Sequence, residues 1–514
     1  MHMNDRLRLI EPARLAGIRR GIEKESLRNQ PDGRLARTPH PAALGSPLTH
    51  PRITTDFSES QLELVTGAHP GVQDCIDELT RIHQFVYRAL QEEDEQLWVG
   101  SMPCGLPPDE NIPIGSFGPS NIGRAKSVYR MGLGHRYGRR MQTISGIHYN
   151  WSMPGLSNAE HFALIRNFRR HAFLLLTLFG ASPAVCTSFV AGREHALQPL
   201  APHTLHLPHA TSLRMGRLGY QSDAQSTLAV SYNSLESYAA SLQDALTRPY
   251  PPYEAIGIKN LGGEYNQLST TLLQIENEFY GTIRPKRVIR PGERPLHALL
   301  ERGVEYIEVR CMDLDPFVPV GIAAPTMRFL DIFLLHCLLQ ESPPDTPEEI
   351  AALGRNQHLA AAFGRQPGLH LERDGQPVLL TEWAAQLLQE CLPVAQALDH
   401  AHQHNEHCEA LDSAQQALNN LDSLPSARVL ATLNSDFAGS YTAFIRAQAA
   451  QTAAHLAALP WSQEQQAAFE AEAAASLVAR NAIEVADRQA GPQDFESWRL
   501  AYLDAARLQV AVPA

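Results

Sequence analysis

The chain has 514 residues and a formal net charge of −12, with 44% hydrophobic and 19% charged residues. This apolar content supports a large core and excludes a disordered chain as the first interpretation. The negative charge argues against a nucleic-acid partner, which needs a cationic face. The longest apolar run, within residues 173–185, is too short to cross a bilayer, so it predicts a buried helix and no membrane partner.

The seven cysteines are scattered along the chain, and no CxxC pair occurs. An odd number at irregular spacing indicates a reducing compartment rather than a disulfide framework. The N-terminus leads into no apolar segment of the kind that a secretory signal has. We therefore expect a cytoplasmic protein in which Cys104 and Cys311 serve as packing residues.

Strand-like alternation begins at residues 21–27, where Glu23 and Glu25 share one face because strand side chains alternate with period two. The same pattern at residues 61–66 places Glu63 on the face opposite its leucine neighbours. Both stretches therefore predict strands that present carboxylates on one side.

A helix is predicted over residues 72–90, where apolar residues recur at steps of three and four. We expect this helix to contribute packing only. Strand-like alternation resumes over residues 142–150, where Gln142, His148 and Asn150 line up on one face.

Two further stretches predict strands with polar faces. Over residues 273–279, the residues that share a face are Gln274, Glu276 and Glu278. Over residues 305–310, Glu308 and Arg310 point together while apolar residues pack behind them.

The region after the Pro-rich segment 342–347 has a different composition. Its content of Ala, Gln and Glu predicts a mostly helical region over 341–514, packed on a catalytic core formed by 1–340. The tract 400–408 holds four histidines and a cysteine, but its spacing fits no known zinc module. We expect that tract to be a solvated helix end or loop.

For each polar strand taken alone, a sheet with one solvent-exposed face is a sufficient explanation. Together, however, their shared face is dominated by acids and one histidine, and crowded carboxylates raise each other's pKa unless a cation lies between them. Mg²⁺ prefers oxygen ligands, and the Arg310 guanidinium suits charge on a transferring phosphoryl group. The chain lacks Walker A, kinase, GxGxxG and GxSxG motifs. The residues alone thus predict a magnesium–nucleotide enzyme on an antiparallel sheet.

A series of ordered blocks resembles the bacterial glutamate–cysteine ligases of the proteobacterial type. The blocks are residues 21–28, 53–59, 101–104, 137–138, 141–150, 178–184, 210–214, 218–220, 273–278, 283–287 and 305–310. Many blocks in order are far more specific than one short motif. The resemblance implies an α+β fold with a glutamine-synthetase-like core, in which a curved antiparallel sheet forms an active-site funnel beside flanking helices and a helical C-terminal region.

The resemblance also implies roles for individual residues. The implied magnesium ligands are Glu23, Glu25, Asp56, Glu63, His148 and Glu308. Arg130 and Arg310 are implied as cations for the transferred phosphate, and Arg214 as the partner of the glutamate α-carboxylate. The implied cysteine pocket consists of Phe57, Tyr129, Leu133, Gln142 and Tyr220. Either Glu63 or Asp56 would accept the ammonium proton.

The implied reaction joins the γ-carboxylate of L-glutamate to the amine of L-cysteine through γ-glutamyl phosphate. It consumes ATP, requires Mg²⁺ and is the first step of glutathione biosynthesis, and we expect a monomer. Two alternatives stay open. The first is a ligase for another amine, because an apolar pocket discriminates weakly between small side chains. The second is a non-catalytic nucleotide or metabolite sensor on the same fold.

Overall fold

The computed structural model describes residues 3–219, 223–225, 228–489 and 494–508. The strands in chain order are β1 (Arg19–Asn29), β2 (Ile53–Thr55), β3 (Gln61–Val65), β4 (Gln96–Leu97), β5 (Ile147–Ser152), β6 (Ala184–Cys186), β7 (Gln198–Ala201), β8 (Thr204–His206), β9 (Ile283–Lys286), β10 (Tyr306–Met312), β11 (His370–Arg373) and β12 (Gln376–Leu379). The helices up to residue 340 are α1 (Met3–Arg8), α2 (Pro12–Ala16), α3 (Val72–Gln91), α4 (Asn121–Tyr137), α5 (Asn158–His171), α6 (Phe173–Phe179), α7 (Thr187–Val190), α8 (Leu235–Thr247), α9 (Pro251–Ile256), α10 (Pro295–Arg302) and α11 (Ala324–Leu339). Those that follow are α12 (Pro347–Phe363), α13 (Leu380–His402), α14 (Glu406–Asn419), α15 (Pro425–Asp436), α16 (Tyr441–Ala458), α17 (Gln463–Gln489) and α18 (Phe495–Leu503).

One antiparallel sheet organises the molecule. Its strands run in the order β2-β3-β1-β5-β10-β9, and β4 pairs with the end of β1. The register places Glu23 opposite His148 and Glu25 opposite Glu63. Because directly opposed residues project from the same face, these side chains meet on one side of the sheet.

The other face of the sheet is apolar and is covered by helices, among them α3 and α11. It contributes Ile22, Leu62 and Trp151 to the main hydrophobic core. Buried polar groups interrupt this layer, among them Lys24 with His83 and the carboxylate of Asp331. Asp331 of α11 accepts a hydrogen bond from the Tyr149 hydroxyl at 2.8 Å. The same carboxylate pairs with Arg20 of β1 at 3.0 Å and compensates its buried charge.

The α+β class and most of the predicted elements are confirmed. The predictions over residues 21–27, 61–66, 305–310 and 72–90 correspond to β1, β3, β10 and α3. The helical composition after residue 340 is confirmed as well. The strand prediction over 142–150 is correct only from Ile147 onward, since Gln142 lies in a 3₁₀ turn. Among the described helices, none is both long and apolar enough to span a membrane.

The strand prediction over residues 273–279 was wrong. This segment forms a loop with a 3₁₀ turn, and its acids are held by buried arginines. Glu276 pairs with Arg294 at 2.8 Å, and Glu278 pairs with Arg136 at 2.8 Å. The alternation of polar residues therefore reflects separate ion pairs, which a single sequence does not distinguish from a strand with one polar face.

One disulfide occurs, although the cysteine spacing predicted no disulfide framework and Cys104 was expected to serve only in packing. Cys104 and Cys186 are bonded, with their Cα atoms 5.2 Å apart. They are separated by 82 residues in sequence and meet in the apolar cluster beneath α16, where the Thr442 hydroxyl lies 3.3 Å from the sulfur of Cys104. Cys311 remains a free, buried thiol, as its predicted packing role requires.

The helices after residue 340 pack closely on the rest of the chain. In α16, the Tyr441 hydroxyl donates to the Met102 carbonyl at 3.2 Å, and the Tyr441 ring lies 6.4 Å from that of Trp98. In α17, the Asp487 carboxylate accepts a hydrogen bond from the backbone N–H of Asn121 at 2.6 Å. This carboxylate lies at the N-terminus of α4, where negative charge is stabilising.

The division of the chain into 1–340 and 341–514 stays a prediction, which a truncation tests. We predict that a chain ending at Gln340 is insoluble, because it exposes Trp98 and the apolar cluster that α16 covers. The measurement is gel filtration and circular dichroism beside the full-length chain. A soluble, active fragment would contradict the prediction and establish 1–340 as an independent domain.

Candidate active site

Histidine 148 lies at the centre of a carboxylate cluster on the polar face of the sheet. Its Nδ1 is 3.3 Å from Glu23 Oε2 and 4.0 Å from Glu308 Oε1. Its Nε2 is 3.7 Å from Glu25 Oε1. Donor atoms of Glu23, His148 and Glu308 all lie within 4.8 Å of one another. Strands β1, β5 and β10 thus bring distant parts of the chain to one point.

Two further predicted ligands, Asp56 and Glu63, complete the cluster. Asp56 follows β2, and Glu63 lies on β3 opposite Glu25. Burial raises the pKa of Glu63 well above its ordinary value, and the neighbouring Glu23 and Asp56 add to the rise. Burial, with the added repulsion of Asp56, raises the pKa of Glu25 to about 8. The structure therefore brings together every residue predicted as a magnesium ligand.

Glu308 differs from these acids because two cations hold it. Lys286 donates to Glu308 Oε1 at 3.0 Å, and Arg310 donates to Oε2 at 2.9 Å. Burial alone would raise the pKa of this fully buried carboxyl, but Lys286 and Arg310 keep it well below the ordinary value. The sequence did not assign Lys286 to the site. Lys286 reaches the site because it lies opposite Tyr306 in the pairing of β9 with β10.

A bulge in β10 interrupts its pairing with β5 at Arg310. The Arg310 carbonyl accepts a hydrogen bond from the Arg214 guanidinium at 2.9 Å, and Asp313 lies 3.9 Å from the same guanidinium. A Cβ at Gly146 would be 2.1 Å from Arg214, so only glycine allows this approach. Arg214 is fully buried. Its role with the glutamate α-carboxylate stays a prediction.

Arg130 reaches the cluster from α4. Its guanidinium donates to the backbone carbonyls of Asp56, Thr55 and Lys126, the last two at 3.2 and 3.0 Å. It also stacks over Phe117, with 4.3 Å between the guanidinium carbon and the ring centroid. These contacts fix a cation beside the carboxylates, as the predicted phosphate role requires.

Three residues predicted to receive cysteine, Phe57, Tyr129 and Leu133, lie on or beside the part of α4 that carries Arg130. Phe57 is buried, and its ring tip lies 3.7 Å from where a Cβ at Gly134 would be. Tyr129 and Leu133 lie one helical turn apart on α4. Phe57 and α4 therefore approach each other, while the binding of cysteine there stays a prediction.

Gln142 lies against a residue that the sequence did not single out. Its amide donates to the Tyr280 hydroxyl at 2.6 Å, and the Tyr280 ring stands edge-on to that of Tyr137 at 5.5 Å. Tyr280 follows the segment that was mistaken for a strand, so only the folded chain reveals the contact. Tyr220, also predicted for this pocket, lies outside the described residues.

The raised pKa of Glu25 gives a pH prediction for the metal-free protein. Folding keeps Glu25 protonated up to about pH 8, whereas the unfolded chain releases this proton near its ordinary pKa of about 4.3. The stabilisation is complete below the unfolded pKa and is lost as pH rises through the folded one. We expect the melting temperature in chelator to fall between pH 5.5 and 8.5, and to fall less in Glu25→Gln.

The control for this prediction is Glu254→Gln, which changes an exposed glutamate on α9. It should keep the pH slope of the unmodified protein. Equal slopes in the protein and in Glu25→Gln would contradict the assignment of the proton to Glu25.

Comparisons with known proteins agree with this geometry. The family model described as glutamate-cysteine ligase matches residues 8–360. The chain is 47% identical over 499 residues to the glutamate–cysteine ligase of Alcanivorax borkumensis, covering 93% of this chain and 94% of that protein. It is 50% identical over 440 residues to the enzyme of the same name from Saccharophagus degradans, covering 82% and 83%.

Solved structures agree as well. The crystal structure of glutamate–cysteine ligase from Francisella tularensis in complex with AMP superposes with a TM-score of 0.89 at 34% identity, covering 96% of this chain and 98% of that one. A bifunctional glutathione synthetase from Pasteurella multocida gives a TM-score of 0.69 at 26% identity, covering 90% and 57%. The resemblance carried by the ordered sequence blocks is thus confirmed, and the chain belongs to the glutamate-cysteine ligase family.

Proposed function

We propose that this ligase joins the γ-carboxylate of L-glutamate to the amine of L-cysteine in an ATP-dependent reaction, giving γ-glutamylcysteine, ADP and phosphate. The observation that carries the proposal is the cluster of buried carboxylates on one sheet face, bounded by Lys286 and Arg310. Such a site suits a polyphosphate brought in with cations. The AMP in the Francisella relative supports a nucleotide site in this chain.

Magnesium fits the donor set of this cluster. Its carboxylate oxygens are the hard ligands that Mg²⁺ prefers, and burial together with neighbouring carboxylates raises the pKa of Glu25 and Glu63, an effect that a bound cation would oppose. The residues proposed to hold the ions are Glu23, Glu25, Asp56, Glu63, His148 and Glu308. Bound Mg²⁺ would supply positive charge to the nucleotide phosphates.

Arg310 is the residue we assign to the phosphoryl group in the first step. An oxygen of the glutamate γ-carboxylate attacks the γ-phosphorus of ATP, and ADP leaves. Arg310 is held by its ion pair with Glu308 at 2.9 Å and by its backbone N–H, which donates to Thr282 at 2.8 Å. Because it is already fixed, its charge stabilises the transferring group without reorganisation. Arg130 supplies a second fixed cation.

In the second step the cysteine amine attacks the acyl carbon of γ-glutamyl phosphate, and phosphate leaves. Phosphorylation makes this possible because oxide is a poor leaving group from a carboxylate. The ammonium proton must pass to a base, and Glu63 and Asp56 are the carboxylates proposed for it. The residues proposed to place the substrates are Arg214 for glutamate and Phe57, Tyr129, Leu133, Gln142 and Tyr220 for cysteine.

A cytoplasmic monomer belongs to the same proposal. Both substrates and ATP are cytoplasmic metabolites, which supports this location, whereas the Cys104–Cys186 bond does not. Sedimentation of the purified chain measures its oligomeric state directly.

We predict that Arg310→Ala lowers kcat/KM by about 10³-fold or more, the loss typical of a fixed cation on a transferring phosphoryl group. The matched control is Arg287→Ala, because Arg287 pairs with Glu305 at 3.4 Å and does not contact the carboxylate cluster. Both variants should keep the circular dichroism spectrum of the unmodified protein. Near-normal turnover in folded Arg310→Ala would remove the phosphate role from this residue.

The function itself is tested by ADP release with Mg–ATP and glutamate, comparing cysteine with 2-aminobutyrate, alanine and glycine, and identifying the product by mass. We expect a strong preference for cysteine and formation of γ-glutamylcysteine. Turnover that favours another amine would keep the mechanism and change the acceptor. The absence of turnover with every amine would favour the alternative of a non-catalytic nucleotide or metabolite sensor.

A further inference from the structure

The turn that joins α13 to α14 holds a group of histidines that ligation does not use. The tract is a helix end and turn, as expected, but it is not solvated throughout, because His407 is only 2% exposed. The rings of His402, His404 and His407 stack on one another, with centroids between 5.1 and 5.7 Å apart. Three imidazoles are therefore gathered in a small, partly buried volume.

Asp399 lies against two of these rings. Its Oδ1 is 3.0 Å from His404 Nδ1 and 2.9 Å from His407 Nδ1. The backbone N–H groups of His407 and Cys408 each donate to the same carboxylate at 2.9 Å. These hydrogen bonds hold the carboxylate in one orientation, as the preorganisation of a metal ligand requires.

We propose that Asp399, His404 and His407 bind a divalent transition-metal ion, zinc by preference, with His402 as the fourth donor. Donor atoms of the first three lie within 4.8 Å of one another. Two ligands of a tetrahedral zinc ion stand about 3.3 Å apart, given bond lengths of about 2.0 Å. The observed oxygen–nitrogen separations of 2.9 and 3.0 Å are close to that value. An ion can therefore take the place of the Nδ1 protons of His404 and His407 after small movements of these side chains.

Capping of α14 does not explain the cluster by itself. Asp399 accepts the backbone N–H groups of His407 and Cys408, and His404 Nδ1 accepts that of Glu406 at 3.3 Å, so capping involves His404 but requires no histidine at 402. Moreover, the Nε2 atom of His402, the proposed fourth donor, is buried and has no hydrogen-bond partner in the part of the chain that the structure describes. Buried nitrogen atoms without partners are costly.

The donor chemistry separates this site from the carboxylate cluster on the sheet. Imidazole nitrogen with a single carboxylate favours zinc and its neighbours in the transition series, whereas Mg²⁺ favours oxygen donors. An open groove lined by Pro12, Gln396 and Cys408 reaches the cluster and gives an ion a path to it.

The position of the turn indicates a structural role for the ion. Glu406, at the start of α14, pairs with Arg328 of α11 at 2.6 Å. Helix α11 in turn covers the apolar face of the sheet and holds Arg20 through Asp331. An ion at the turn would fasten α13 and α14 to this layer and raise the thermal stability of the chain.

The experiment measures zinc retained per chain by elemental analysis after gel filtration, on tag-free protein in excess Mg²⁺. We expect one zinc per chain, a higher melting temperature with zinc, and the visible absorption of four-coordinate Co²⁺ after cobalt substitution. His404→Gln should weaken zinc binding at least tenfold and remove the cobalt absorption. His400→Gln is the control, since it changes an exposed histidine of the same tract and should behave as the unmodified protein.

His407→Gln should lose the metal as well, although its buried ring contributes to packing. His404 is partly exposed, so His404→Gln keeps the test decisive where His407→Gln does not fold. Zinc retention and cobalt absorption in His404→Gln equal to those of the unmodified protein would overturn the proposal. So would the absence of retained zinc in the unmodified protein.

Discussion

The crowding of negative charge on one sheet face constrains the rest of the structure. Against the effect of burial, His148 and Lys286 keep the pKa of Glu23 below its ordinary value, whereas burial and neighbouring carboxylates raise the pKa of Glu25 and Glu63. Glu308 avoids this effect only because Lys286 and Arg310 hold it from β9 and from its own strand. The arrangement requires all six strands in register, since a slip of one residue would turn a side chain to the other face.

The register is secured from behind the sheet. Arg20 and Tyr149 point to the apolar face of β1 and β5, and both meet Asp331 of α11. A buried ion pair adds little net stability, but breaking it leaves an uncompensated charge in the core. Alternative pairings of β1 with β5 are therefore penalised. The same strands carry Glu23 and His148 on the front, so the helix layer at the back determines which polar groups meet at the site.

The sequence predicted the strands that have one apolar face and one polar face. Over residues 21–27 and 305–310, one set of alternate side chains is buried and the other faces the carboxylate cluster. The pattern therefore predicted β1 and β10 correctly. Alternation over 273–279 came from buried pairs such as Glu276 with Arg294, whose partners lie elsewhere in the chain. The Cys104–Cys186 bond and the position of Lys286 at the site were not predicted. Both depend on which distant segments of the chain become neighbours in the fold.

The helical region after residue 340 lies beyond the sequence blocks that carry the resemblance, yet it supports the site directly. Asp487 of α17 accepts the backbone N–H of Asn121 at the start of α4. That helix fixes Arg130 beside Asp56, so a contact from the C-terminal region helps to place a cation at the carboxylate cluster. The geometry of the catalytic sheet therefore depends in part on helices that lie after residue 340.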